Sequence, residues 1–197
     1  MKAFKLSNLL IISLALFFFG GCAKIISSKT ESVSEEQKAV EKQIMTFFTS
    51  LTEAPSQKNW AKLNRIVDEY FAEYIIIRVE NPNQGIQAVT LQQYRFLLRT
   101  APEEIIDYKH KYKNIKVEVA QDCKSAEVTA GQLLTITMKR RRAFMAFPYL
   151  FKDYDIPNNE PQVTIKIKGE ITMMFEYREG KLLLIWIDLK VIKVELI

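Results

Sequence analysis

Apolar positions change their period partway along the chain. Val40, Ile44, Phe47, Phe48 and Leu51 recur at three- and four-residue spacing, the signature of an amphipathic helix. Ser34 followed by Gln37 predicts a capping box at its start, and Pro55 is expected to end it. A second helix fits Ser56 to Phe71, with Trp60, Leu63, Ile66, Val67 and Tyr70 on one face. Tyr74-Ile75-Ile76-Ile77-Arg78-Val79 reads as a short buried strand, and Asn81-Pro82-Asn83-Gln84-Gly85 as a turn. A third helix is predicted from Thr90 to Arg99, with Leu91, Tyr94, Phe96, Leu97 and Leu98, stopping before Pro102.

Beyond Pro102 the period falls to two. Tyr108, His110 and Tyr112 occupy even positions, whereas Ile115, Val117 and Val119 are odd, so a bulge near Asn114 is expected to reconcile the two halves. Ala126, Val128, Ala130, Leu134, Ile136 and Met138 share one face of the next strand. Val163, Ile165, Ile167, Ile171, Met173, Phe175 and Tyr177 share one face of another. Glu179-Gly180 signals a tight turn into a last strand, Lys181 to Leu196, with Leu183, Ile185, Ile187 and Leu189 taken as its core face. Strands of about 12 to 15 residues exceed the usual length and accompany a strongly bent sheet.

Helix, helix, short strand, helix and then long antiparallel strands predict an α+β fold. Three N-terminal helices would lie on a strongly curved, mainly antiparallel sheet of four to six strands. The opening helix through Phe47-Phe48, the Trp60 helix with the strand after it, the Asp122-to-Val128 turn and strand, and the closing strand with Trp186 carry a resemblance. Over about residues 36–196 the chain resembles the nuclear transport factor 2-like, or SnoaL-like, cone superfamily. In enzymes of that superfamily, acid and base residues project into the apolar cone. No such residues carry over to this chain position by position.

The N-terminus has its own logic. Lys2 and Lys5 precede an apolar run from Leu9 to Phe19, which closes on Gly20-Gly21-Cys22. That is the layout of a signal peptide, and the run is well short of the roughly 20 residues a membrane-spanning helix needs. Gly20-Gly21-Cys22 resembles the lipobox of bacterial lipoproteins, in which the cysteine carries the lipid; Phe19 departs from the aliphatic residue usual there. The expected organisation is a signal peptide over 1–21, a polar tether over 22–35 and one cone-like domain over 36–197. A membrane partner through lipid on Cys22 follows. Ala23 lacks the aspartate that resembles an inner-membrane retention signal, which places the protein on the outer membrane, facing the periplasm, in an organism with two membranes.

Charge adds little. The formal net charge of the chain is +5, and loss of Lys2 and Lys5 with the leader would leave +3. This is far from the basic footprint of a nucleic-acid binder, so no nucleic acid is expected. Once Cys22 is lipidated, Cys123 has no intrachain partner, and no disulfide framework is available. With His110 the lone histidine and no close ligand spacing, neither a metal site nor any cofactor is expected.

Candidate site residues are few. His110, flanked on its own side by Tyr108 and Tyr112, is either a general base with tyrosine partners or a partly exposed strand residue. Asp188 is a further pocket candidate, opposite the Ile187 and Leu189 face. The least ordinary segment is Lys139 to Pro161, read as a long loop. Lys139 and Arg140, Arg141 and Arg142 precede Phe144, Phe147 and Tyr149, a binding surface for anionic lipid or an acidic envelope protein, a ligand lid, or a plain cover for the cone. The expectation is a membrane-anchored envelope lipoprotein with a non-catalytic binding or protein-interaction domain. The alternative is a small-ligand carrier or enzyme using the apolar cone.

Overall fold

The computed structural model describes residues 34–146, Phe151 and 160–197. The expected leader, the expected tether up to residue 33 with Cys22, and Phe147 and Tyr149 lie outside the described residues.

Helix α1 (Glu35–Ser56) begins with the expected capping box: the Gln37 N–H donates to Ser34 Oγ and the Ser34 N–H to Gln37 Oε1. Its apolar stripe buries Phe47 and Phe48. The Phe47 ring meets Tyr70 at 5.0 Å and Phe175 at 5.5 Å, which ties helices to sheet. Pro55 does not stop the helix. It is buried inside the last turn, where the carbonyls of Ala54 and Pro55 accept from the N–H groups of Asn59 and Lys58. Helix α2 (Trp60–Tyr70) therefore starts four residues later than expected, on an Asn59 cap that accepts from the Lys62 N–H.

Strand β1 (Phe71–Asn81) is longer than predicted and is not buried on both sides, since Tyr74 and Ile76 are about half exposed. The Asn81–Gly85 turn leads into a strand the periodicity did not reveal, β2 (Gly85–Val89), which pairs back onto β1. Helix α3 (Leu91–Glu104) has a Thr90–Gln93 capping box and runs through Pro102, again near its end, so one missing N–H leaves the helix otherwise intact.

Strands β3 (Ile105–Val119), β4 (Ser125–Lys139), β5 (Gln162–Arg178) and β6 (Lys181–Leu196) follow, and a short helix, α4 (Arg140–Ala146), opens the β4–β5 connection where a loop was expected. The sheet order is β2-β1-β6-β5-β4-β3, antiparallel except for the parallel β1–β6 pair. Helices cover one face of this curled sheet, giving the α+β cone. Asn114 has φ 54° and the β3–β4 register shifts beside it, so the bulge lies where the parity change put it. Glu179 and Gly180 both take positive φ, as a two-residue hairpin turn requires.

Strand β6 departs from the expected pattern. Its buried set is Leu182 and Leu184, then Ile187, Leu189 and Val191, because a second bulge near Ile185 exchanges the faces. Leu183 and Ile185 are thus not core residues of the kind expected. Among the described residues no helix is long and apolar enough to cross a membrane.

Candidate functional site

Among the described residues the buried polar side chains are Thr52, Asn81, His110 and Gln132, and the last two lie on neighbouring strands β3 and β4 among buried tyrosines. Strand alternation turns Tyr108, His110 and Tyr112 of β3 to the interior, and none is more than 5% exposed. His110 was expected to be either a base with tyrosine partners or partly exposed. It is buried, with its ring 4.8 Å from that of Tyr112. Register places Tyr112 beside Gln132 on β4, and Gln132 beside Gly169 on β5. Tyr94 enters from α3, stacked on Phe71 at 5.5 Å, and Phe48 from α1 lies 5.3 Å from Tyr112.

Gly169 makes room for this arrangement. A Cβ there would lie 2.8 Å from the Lys190 carbonyl oxygen and 2.9 Å from Gln132 Nε2. The carboxamide therefore occupies space that any other residue at 169 would claim. Gln132 Oε1 is buried and has no hydrogen-bond partner among the described residues. Such an acceptor costs about 1–3 kcal/mol relative to a satisfied one.

The electrostatics follow from burial. Tyr108 and Tyr112 hold their protons well above the ordinary phenol range, first through burial and then through neighbouring tyrosines; burial does the same to Tyr94. Burial also lowers the His110 imidazole to about 3. Every member is neutral near pH 7. No Asp or Glu is buried among the described residues, and no group of His, Cys, Asp and Glu there could hold a metal ion. A base titrating near 3 accepts protons poorly at neutral pH, so the cluster suits neutral hydrogen bonding better than proton transfer.

The other candidates lie elsewhere. Asp188 is on the outer face of the sheet, opposite the buried Ile187 and Leu189, where its carboxylate accepts from Arg78 at 2.8 Å. The arginine segment is divided. The Arg140 guanidinium sits over the Phe151 ring at 5.1 Å, and Arg142 donates to Thr100 Oγ1 of α3, half-buried, which lowers its pKa by desolvation. Arg141 and Phe144 are exposed, and the Phe144 ring meets Phe151 edge-on at 5.3 Å. Cys123 is half-buried in the β3–β4 turn at φ 57° and packs against the core. Two site members were missed in the sequence. Gln132 falls in phase with the apolar face of β4, a polar residue at a core position, and that signal could have found it. Tyr94 looked like any other apolar helix position.

No family model and no curated protein sequence matches the chain. Solved structures do resemble it. A type 2 hexachlorocyclohexane dehydrochlorinase, LinA, matches with a TM-score of 0.57 and 9% identity, over 82% of this chain and 91% of its own. The LinA-type3 enzyme from Novosphingobium barchaimii gives 0.56 and 10%, over 82% and 92%. A nuclear transport factor 2-like superfamily protein from Salmonella enterica gives 0.51 and 10%, over 77% and 90%. At such identities the likeness establishes the cone fold alone, a fold whose members include enzymes.

Proposed function

We propose that the domain binds a small, mainly apolar molecule inside the cone without transforming it, and that it does so as a lipoprotein of the cell envelope. The ligand would carry a polar group that meets the Tyr94, Tyr108, His110, Tyr112 and Gln132 cluster. The observation that carries this reading is the buried Gln132 carboxamide, with an acceptor oxygen that no described residue satisfies. A core built for stability alone would place an apolar residue there, because an unmet buried acceptor is a net cost. Among the described residues no carboxylate is buried, and with the low His110 pKa this argues for binding rather than acid–base catalysis. The polar stretch after Cys22 suits a tether that holds the domain near the membrane, at the outer membrane in a cell that has two.

The test is to purify the protein and its Gln132→Leu variant from membranes, extract each with organic solvent and compare the extracts by mass spectrometry. A small molecule present with the wild type and lost with the variant, together with equal or higher urea stability of the variant, is the expected result. Identical extracts and a variant destabilised by more than about 2 kcal/mol would make the carboxamide part of the scaffold instead.

A further inference from the structure

The outer face of the sheet carries a pattern that neither the core nor the cone accounts for. On β3 the outward positions Lys109, Lys111 and Lys113 are exposed, and on β5 the corresponding positions are Lys166 and Lys168. Lys111, Leu133, Lys168 and Lys193 form one continuous cross-strand row from β3 to β6. The row beside it runs Lys109, Thr135, Lys166 and Glu195, and on the other side Lys113, Gly131, Glu170 and Lys190. Glu170 and Glu195 are the acidic members of these rows on β3 to β6; Glu195 is paired with Lys193, and Lys109 with Asp107 of its own strand, which leaves Lys111, Lys113, Lys166 and Lys168 as the core of the array.

Lysines on β3 alone would have an ordinary explanation, since β3 is an edge strand and edge lysines discourage pairing with other chains. Strand β5 is interior, so that explanation fails for Lys166 and Lys168. Lys168 stands directly opposite Lys193 in the register, and like charges so placed destabilise a sheet. Along each strand the lysines repeat about every 7 Å, and β3 and β5 lie about 10 Å apart. The result is a two-dimensional array of cations rather than a pocket. Beside it, two register shifts leave Ile106 and Ile192 exposed. An array of cations with apolar residues at its margin matches the chemistry of a bilayer surface bearing anionic headgroups.

We infer that this outer sheet face, and not the arginine segment, docks on an anionic lipid surface. The arginines are the poorer candidates because Arg140 and Arg142 are engaged within the fold. The geometry of the tether is compatible. Gln37 at the start of α1 donates to the Val119 carbonyl, and Val119 pairs with Ala126, nine positions from Thr135 in the lysine rows, or roughly 30 Å. The stretch from Cys22 to Ser34 can extend to about 40 Å.

The experiment uses the chain from residue 22 onward carrying Cys22→Ser, without the apolar leader, so the outcome does not depend on lipidation, on the leader or on a ligand in the cone. Cosedimentation is measured with phosphatidylcholine vesicles, with and without phosphatidylglycerol, across a salt series. On the same background, Lys111→Gln/Lys113→Gln/Lys168→Gln is compared with Arg140→Gln/Arg141→Gln. Thermal melts verify that both variants stay folded. Phosphatidylglycerol-dependent binding that weakens with salt is expected. Each lysine contributes about a fivefold factor, so the triple lysine variant should lose on the order of a hundredfold in affinity while the arginine variant loses less than tenfold. Equal binding to neutral vesicles, unchanged binding by the lysine variant, or a loss as large in the arginine variant would each overturn the assignment.

Discussion

Replacing His110 with phenylalanine should flatten the acid limb of the domain's stability curve. The imidazole has an ordinary value of 6.5 and is held at about 3 by burial alone. Between those values the unfolded chain binds the extra proton and the folded chain does not, so stability falls as pH falls. The contribution is complete above about 6.5 and is lost progressively toward 3, at about 1.4 kcal/mol per pH unit. From pH 7 to pH 4 the wild type should therefore lose roughly 3 kcal/mol more than the variant. Carboxylates titrate in the same window, but they are common to both proteins and cancel in the difference. The phenols of Tyr94, Tyr108 and Tyr112 stay protonated throughout.

Urea denaturation at several pH values reads this difference, and only the change with pH matters. Any constant cost of fitting the phenyl ring beside Tyr112 drops out. Parallel curves for the two proteins would refute the reasoning. They would mean that the imidazole titrates near 6.5 in the folded state and reaches water, which would make the cone interior wet at that point.

Two further outcomes are expected. Gly169→Ala should lower stability by about 1–3 kcal/mol in the same denaturation assay, because its Cβ meets the Lys190 backbone at 2.8 Å and cannot displace it as it could a side-chain end. Cys22→Ser should abolish metabolic labelling by fatty acid and either release the protein from membranes at high salt or leave the precursor unprocessed; labelling that persists would remove the lipid from Cys22.

Period-two alternation made the inner face of the sheet readable wherever the two faces differ in polarity. On β3, lysines alternate with Tyr108, His110 and Tyr112, so the phase, the bulge at Asn114 and the grouping of the three aromatic rings followed from the residues. On β6, Leu183, Ile185 and Trp186 leave no such contrast, so the second bulge was invisible and Leu183 and Ile185 were assigned to the core face in place of Leu182 and Leu184. The prolines misled for a different reason. Each stands in a last turn, where helix geometry has little left to lose. What the sequence could not supply was depth. Periodicity assigns Tyr94 and His110 to faces, but only the curl of the sheet decides that helix α3 brings Tyr94 into the tyrosine cluster. It also cannot say that Arg142 turns back onto Thr100.

One stretch of six residues shows how the two proposed activities share a scaffold. In Tyr108-Lys109-His110-Lys111-Tyr112-Lys113 every inward position is a neutral hydrogen-bonding ring and every outward one a cation. A charged inward residue would cost several kcal/mol in desolvation, whereas an outward lysine remains hydrated until an anionic surface replaces that water. Charge is thus kept out of the cone and concentrated on the opposite face of the same strand. The bulge at Asn114 ends this alternation where the cluster ends. Beyond it Ile115 is buried and Lys116 and Glu118 pair outside, so the strand returns to an ordinary apolar inner face. Because a one-residue slip would exchange the two faces, the register of β3 against β4 must hold both activities at once. The continuous pairing from Asp107 to Lys113 holds it on the side where both depend on it.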